Sequence, residues 1–352
     1  MTVLRHRARL RVAIVDTCSA KGYDLPDLAA HGLGGTEATI LRVAVALAPQ
    51  FGVTLYQNGR AAQALSRAGR LCPLAAAFAG AGADVIVVVN RWKVALKLRR
   101  RHPDTPIFLW LHVHPGRHNR AMGAALRSAD IAVICVSASH ARTLTAFLGP
   151  QALPRIGFIH NPIADDLHPD DTPRDPDLLL FASSPHKGLT EVFGQFRTLR
   201  ASLPKLRLAV ADPGYLRWAT GPAPEGVVFL GALPHPALIA QMRRALCLFY
   251  PQTGFAETFG LVLAEANAVG TPVLVHDGLG ANAEIVRDPA QRVDGHDPDQ
   301  IRARIEAWRR TPPCATPDPA FRLRRVAQDW ARLLSGAMRT PAAATQIVEH
   351  HA

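Results

Sequence analysis

The stretch from Ala245 to Val275 does most to restrict what this chain can fold into. Ala245-Leu246-Cys247-Leu248-Phe249-Tyr250 is a short apolar run closed by Pro251, the length of a buried strand. Residues 254–269 then pass from a loop into a helical pattern. Gly270 ends that helix, and Thr271-Pro272 turns the chain into Val273-Leu274-Val275. Strand, helix and strand in that order form the building block of a parallel sheet. Two carboxylates flank the loop-to-helix junction. Glu257 is expected at the helix mouth, where unpaired N–H groups and the helix dipole favour negative charge. Glu265 is expected two turns in. Were both helical, they would stand roughly 12 Å apart along the axis, too far to act as an acid/base pair on one bond. The spacing suits instead the two ends of an extended ligand whose anionic middle meets the amides of Thr258, Phe259, Gly260 and Leu261. A nucleotide diphosphate sugar has that layout. The plainer alternative is that Glu257 stabilises a helix terminus and Glu265 is a surface charge.

The same stretch resembles the Glu-x7-Glu segment of the GT-B glycosyltransferases of family 4, through Phe259-Gly260-Leu261 and the tail Glu265-Ala266-Asn267-Ala268-Val269-Gly270-Thr271-Pro272-Val273. The resemblance extends over about residues 10 to 335. It implies an α/β chain of two doubly wound Rossmann-like domains facing a cleft. It further implies a retaining hexosyltransferase that moves a sugar from a nucleotide diphosphate donor to an acceptor hydroxyl, with no metal and no other cofactor. Glu265 would then bind the donor ribose and Glu257 the transferred sugar.

Other segments add to this picture. Val12-Ala13-Ile14-Val15 reads as a strand, followed by a polar stretch, then Gly32-Leu33-Gly34-Gly35-Thr36-Glu37 and a helix from about Thr36 to Ala48. Such a loop lets backbone amides approach a phosphate, although the dinucleotide fingerprint is not met, and a plain tight turn explains the glycines as well. In the family, Gly34 and Gly35 would line the donor phosphates and the acceptor cleft. Pro106 to Leu111 reads as a strand ending in His112-Val113-His114, where open α/β sheets place their ligand crevice. The resemblance puts His112 against the donor sugar. Two histidines without a recognisable third ligand make a poor zinc site.

Leu178 to Ala182 reads as a strand, followed by Ser183-Ser184-Pro185-His186-Lys187-Gly188 and a helix from about Leu189 to Leu203. Lys187 can meet a diphosphate as a point charge. The family usually supplies an Arg in this loop as well. Here Ser183 and Ser184 occupy its place, and His186 or Arg217 is left to compensate. The domain expectation is an acceptor-side unit over 1–164 and a linker over 165–177. A nucleotide-sugar unit follows over 178–320, and 321–352 is a final helix returning to the first unit with a frayed tail.

Composition sets the outer limits. The 352 residues are 48% apolar, which excludes a disordered chain, and contain no apolar run of membrane-spanning length. Five scattered cysteines without a Cys-x-x-Cys pair suggest neither a zinc site nor a disulfide framework, which fits a cytoplasmic protein. The net charge of +12 has three readings. It is an arginine-rich composition, or attraction to an anionic membrane at its inner face, or nucleic acid. Sparse aromatics argue against the last. The basic segment from Arg91 to His102 is either a solvated helix face or a docking surface for such a membrane or a lipid-linked acceptor. The partners expected are therefore a nucleotide-sugar donor and a glycan or lipid-linked acceptor of cell-envelope polysaccharide or lipopolysaccharide synthesis. A non-catalytic scaffold with the same fold, or another nucleotide-sugar enzyme such as an epimerase or an inverting transferase, is the alternative.

Overall fold

The computed structural model describes residues 9–30, 33–79, 82–214 and 219–337. The chain divides into two compact units. Unit 1 comprises residues 1–25, 39–160 and 323–352, and unit 2 comprises residues 26–38 and 161–322.

Unit 1 is built on eight strands: β1 (Arg11–Asp16), β2 (Gly52–Gln57), β3 (Ala64–Ser66), β4 (Gly69–Pro73), β5 (Val85–Val89), β6 (Ile107–Leu111), β7 (Ala132–Cys135) and β8 (Ile156–Phe158). Their order is β3-β4-β2-β1-β5-β6-β7-β8, parallel throughout except for the β3–β4 pair. Every residue of β5, β6 and β7 is buried, as an all-parallel sheet covered on both faces requires. The helices in this part of the chain are α1 (Leu25–Ala30), α2 (Gly35–Leu47), α3 (Trp92–Arg101), α4 (Met122–Ser128) and α5 (Ala138–Leu148). Ser137 caps α5, its hydroxyl accepting from the N–H of His140 at 2.9 Å.

Unit 2 carries six parallel strands: β9 (Asp175–Phe181), β10 (Arg207–Val210), β11 (Val227–Phe229), β12 (Ala245–Tyr250), β13 (Val273–His276) and β14 (Arg292–Val293). Their order is β11-β10-β9-β12-β13-β14. The strand order reverses between β9 and β12, so loops leaving those two strands diverge at the switch point where α/β sheets bind ligands. The helices are α6 (Leu189–Ser202), α7 (His235–Arg244), α8 (Leu261–Ala268), α9 (Asn282–Ile285) and α10 (Pro298–Arg310). β9 begins at Asp175, inside the stretch read as linker, because Asp175 pairs with Ala245 in the sheet and binds Arg207 at 2.5 Å. The last helix, α11 (Leu323–Gly336), belongs to unit 1, where Trp330 packs on Trp110 with ring centroids 4.6 Å apart.

Among the described residues no helix is long and apolar enough to cross a membrane.

Candidate functional site

Two loops at the switch point of the second sheet build the site: Ala182–Gly188 after β9 and Pro251–Gly260 after β12. Lys187 Nζ lies 2.9 and 3.0 Å from the two carboxylate oxygens of Glu257. The Tyr250 hydroxyl, at the carboxyl end of β12, donates to Glu257 Oε1 at 3.0 Å. Glu257 is 6% exposed, and these contacts give its buried carboxylate the hydrogen-bond partners that burial demands. The side of the cluster toward solvent belongs to Lys187, whose side chain is 23% exposed.

The Glu257 loop is held from several directions. Gln252 clasps it, its amide donating to the Phe255 carbonyl at 2.8 Å while its Oε1 accepts from the Phe255 N–H at 2.7 Å. Glu191, on α6, accepts from the N–H and the hydroxyl of Thr253. Gly280, at φ +55°, lies so close that a Cβ there would come within 2.6 Å of the Glu257 carbonyl oxygen. The site is therefore braced from β12, α6 and the loop after β13.

The helix does not start where the two-glutamate spacing suggests. α8 begins at Leu261, and Glu257 sits in the preceding loop. Gly260 is left-handed at φ +87° and turns the chain from loop into helix. Glu265 is therefore a first-to-second-turn residue of α8, not one two turns in. It is 4% exposed, which removes the surface-charge alternative, and its Oε1 lies 2.9 Å from His235 Nε2 at the start of α7. α8 is buried from Leu263 to Ala268, the polar Glu265 and Asn267 included. Phe259 points its ring into the core, edge-on to Phe321 at 5.2 Å, so only its backbone can face a ligand. Thr258 and Leu261 are partly buried at the helix mouth.

Gly35, the first residue of α2, also falls in unit 2, and a Cβ there would come 3.9 Å from Leu261 Cδ2. Gly35 thus lies against the first residue of α8 within unit 2. Gly34 precedes α2, where an added Cβ would meet the flexible end of Glu37. Gly32 lies outside the described residues.

In the β9 loop, Ser183 and Ser184 are buried, and the Ser184 hydroxyl lies 2.9 Å from His186 Nδ1. Burial, and next the charge of Lys187, lower the pKa of His186. His186 is thus a poor replacement for the absent Arg. Arg217 lies outside the described residues.

His112 stands in unit 1, past the end of β6. It is buried, and its N–H donates to Asn90 Oδ1 at 2.7 Å. Burial first, then the nearby His140, lower its pKa to about 3. His112 is therefore a neutral imidazole, able to donate and accept one hydrogen bond but not to supply charge. His140 is also lowered to about 3, by burial and then by His114, against a hydrogen bond to the Val113 carbonyl that raises it. The rings of His114 and His140 meet edge-on at 5.0 Å.

Lys187, Glu257, Ser183, Ser184, Gly35, Leu261 and Glu265 all fall within unit 2, with Lys187 bound to Glu257 and Gly35 against Leu261. Sequence reasoning missed Tyr250 and His235. Tyr250 carried a signal, a polar tip at the carboxyl end of a strand that is otherwise apolar. His235 carried none, being a lone histidine after a proline.

Residues 171–316 match the family model described as glycosyl transferases group 1. A phosphatidyl-myo-inositol mannosyltransferase of Propionibacterium freudenreichii subsp. shermanii is 38% identical over 104 residues. That stretch is 30% of this chain and only 26% of that protein. Likeness to solved structures runs over nearly the whole chain. A glycosyltransferase from Rickettsia africae ESF-5 superposes with a TM-score of 0.65 at 12% identity, covering 95% of this chain and 100% of that one. An α,α-trehalose-phosphate synthase (UDP-forming) from Burkholderia vietnamiensis superposes with a TM-score of 0.62 at 13% identity, covering 93% and 99%. The fold is accordingly the GT-B architecture of two Rossmann-like units, and the match to the glycosyl transferases group 1 model falls on residues of the second unit.

Proposed function

We propose that the chain is a retaining glycosyltransferase of family 4 that moves a sugar from a nucleotide diphosphate sugar to an acceptor hydroxyl without a metal. The observation that carries this is the Lys187–Glu257–Tyr250 cluster in front of the α8 mouth, at the switch point of the second sheet. In this reading Lys187 and the starts of α2 and α8 hold the diphosphate, and the hydroxyls of Ser183 and Ser184 bond its oxygens. Glu265, steadied by His235, accepts from the ribose hydroxyls. Glu257 accepts from hydroxyls of the transferred sugar while Lys187 and Tyr250 keep its carboxylate aimed.

Such chemistry needs stabilisation of charge as the sugar–phosphate bond breaks, and fixed dipoles with one ammonium supply it without a base acting on the sugar. His112 is assigned to sugar orientation by the family resemblance, and its neutral imidazole suits hydrogen bonding to a hydroxyl.

The acceptor proposed is a glycan or lipid-linked glycan of the cell envelope. The name of the mannosyltransferase relative supports a glycolipid. The exposed residues Lys93, Lys97, Arg100 and Arg101 of α3 support peripheral contact with the inner face of an anionic membrane.

The test is a thermal-shift and donor-hydrolysis screen against UDP-, GDP- and ADP-sugars in EDTA. Stabilisation by one nucleotide class, with slow sugar release, is expected. A folded sample that responds to none of them would favour a non-catalytic scaffold, which the missing Arg of the β9 loop already supports.

A further inference from the structure

A second cluster of chemically capable side chains lies at the same edge of the second sheet, apart from the residues above. His276 is the last residue of β13, and Asp294 and His296 follow β14. One ligand atom from each lies within 4.8 Å of the other two. His276 Nδ1 is 3.7 Å from Asp294 Oδ1, and the His276 and His296 rings stand at 71° with centroids 5.5 Å apart.

The loop that carries two of the three is firmly placed. Gly295 sits under the Pro251 carbonyl, where a Cβ would come within 2.2 Å of that oxygen, so no other residue fits between Asp294 and His296. Its N–H donates to His276 Nδ1 at 2.9 Å, and its carbonyl accepts from Gln195 at 3.0 Å. The Asp294 N–H donates to Gln300 Oε1 at 2.6 Å, and the His296 N–H donates to Asp294 Oδ1 at 2.9 Å. The backbone is pinned, while the exposed side chains of Asp294 and His296 can still turn.

We infer that His276, Asp294 and His296 form a binding site for a borderline divalent cation, Zn²⁺ foremost. Two imidazoles and a carboxylate are a zinc donor set, whereas magnesium and calcium take oxygen ligands. Tetrahedral bonds of about 2.0–2.1 Å need ligand atoms about 3.3 Å apart. Small rotations of Asp294 and His296 supply that contraction. His276 ligates through Nδ1 in exchange for the Gly295 N–H, while the Gln195 and Gln300 bonds and the close approach of Gly295 to Pro251 keep the loop in place. Three protein ligands leave the fourth position to water on the exposed side. The cation would tie the end of β13 to the loop after β14, beside the Pro251–Thr253 stretch that leads into the Glu257 loop. None of the proposed donor-binding residues takes part, so the site stands or falls independently of the transferase reading.

The full chain, stripped with EDTA and desalted, is titrated with Co²⁺ and then Zn²⁺. The parent should develop visible d–d absorption of a four-coordinate cobalt centre, saturating at one equivalent and bleached by zinc. His296→Ala, at an exposed position, should fold as the parent does, lose that absorption and hold zinc more than about tenfold more weakly. Asp294→Asn should weaken the signal in the same direction. A parent that shows no cobalt spectrum overturns the proposal. So does a folded His296→Ala variant that titrates like the parent, since the metal would then sit on other histidines.

Discussion

His235 Nε2 lies 2.9 Å from Glu265 Oε1, and the carboxylate so held is almost entirely buried. A buried carboxylate needs partners whether or not a ligand is bound, and its orientation then depends on them. If Glu265 receives the ribose, His235 fixes how its carboxylate is turned. Glu265→Ala should abolish measurable nucleotide binding by calorimetry in a folded protein. His235→Ala should weaken it about tenfold, the effect of losing roughly one hydrogen bond to a charged group. His235→Asn, which keeps a donor, should recover part of the loss. Equal affinity in the parent and His235→Ala would remove the positioning role.

The Lys187–Glu257 pair makes a different prediction, because both members are removed from most solvent. Lys187→Met leaves Glu257 with the Tyr250 hydroxyl and no ammonium, and should lower the unfolding free energy by about 1–3 kcal/mol, less than for a fully buried pair because Lys187 keeps some solvent contact. The double variant Lys187→Met with Glu257→Gln should regain part of that stability while staying inactive. Urea unfolding of the four members of this cycle measures the coupling. Strictly additive effects would mean that the pair does not act as a unit.

Stability should fall on mild acidification, and the sign follows from the histidines of unit 1. His112 and His140 each titrate at about 3 in the folded chain, against 6.5 ordinarily. The unfolded chain therefore binds protons below 6.5 that the folded chain refuses until near 3. Their contribution is whole above pH 6.5 and is lost as pH falls from there toward 3. The slope is about 1.4 kcal/mol per pH unit for each histidine. Urea midpoints between pH 7 and pH 5 should show this, and His140→Asn should flatten the slope by about half. An unchanged slope in that variant would show that His140 is not kept neutral.

On α3, Lys93, Lys97 and Arg100 are exposed at a spacing that places them on one side of the helix. Cosedimentation with anionic vesicles at low salt should be strong for the parent. Replacing the three by Gln should cost about 3 kcal/mol, more than a hundredfold in partitioning. Raised salt should weaken the parent in the same way. Equal binding to neutral and anionic vesicles would leave the basic charge as composition alone.

Much of the architecture was legible because buried parallel strands write themselves as apolar runs. Ile107–Leu111, Ala245–Tyr250 and Val273–His276 stand where the sequence predicts them. What escaped was short or partly exposed. β3 and β4 carry no apolar run, and α4 has only seven residues in which to show a period. The start of α8 was misjudged because a left-handed glycine inside Thr258–Leu261 looks like any other glycine until its φ is known. Lys187 could be named from its place after a strand. That its nearest acid is Glu257, seventy positions later, follows only from the adjacency of β9 and β12. The same holds for His276 and His296, whose separation matches no familiar ligand spacing.

The contact between Trp110 and Trp330 has a consequence for the order of events during synthesis. The strands of unit 1 leave the ribosome first, but the helix that covers Trp110 emerges only after residues 161–322. At about 5–20 residues per second, the nascent chain waits roughly 8–30 s with that indole face uncovered. A chain halted before Leu323 would keep it uncovered for good, and a chaperone that grips bare aromatic surface should distinguish such a product from the finished protein.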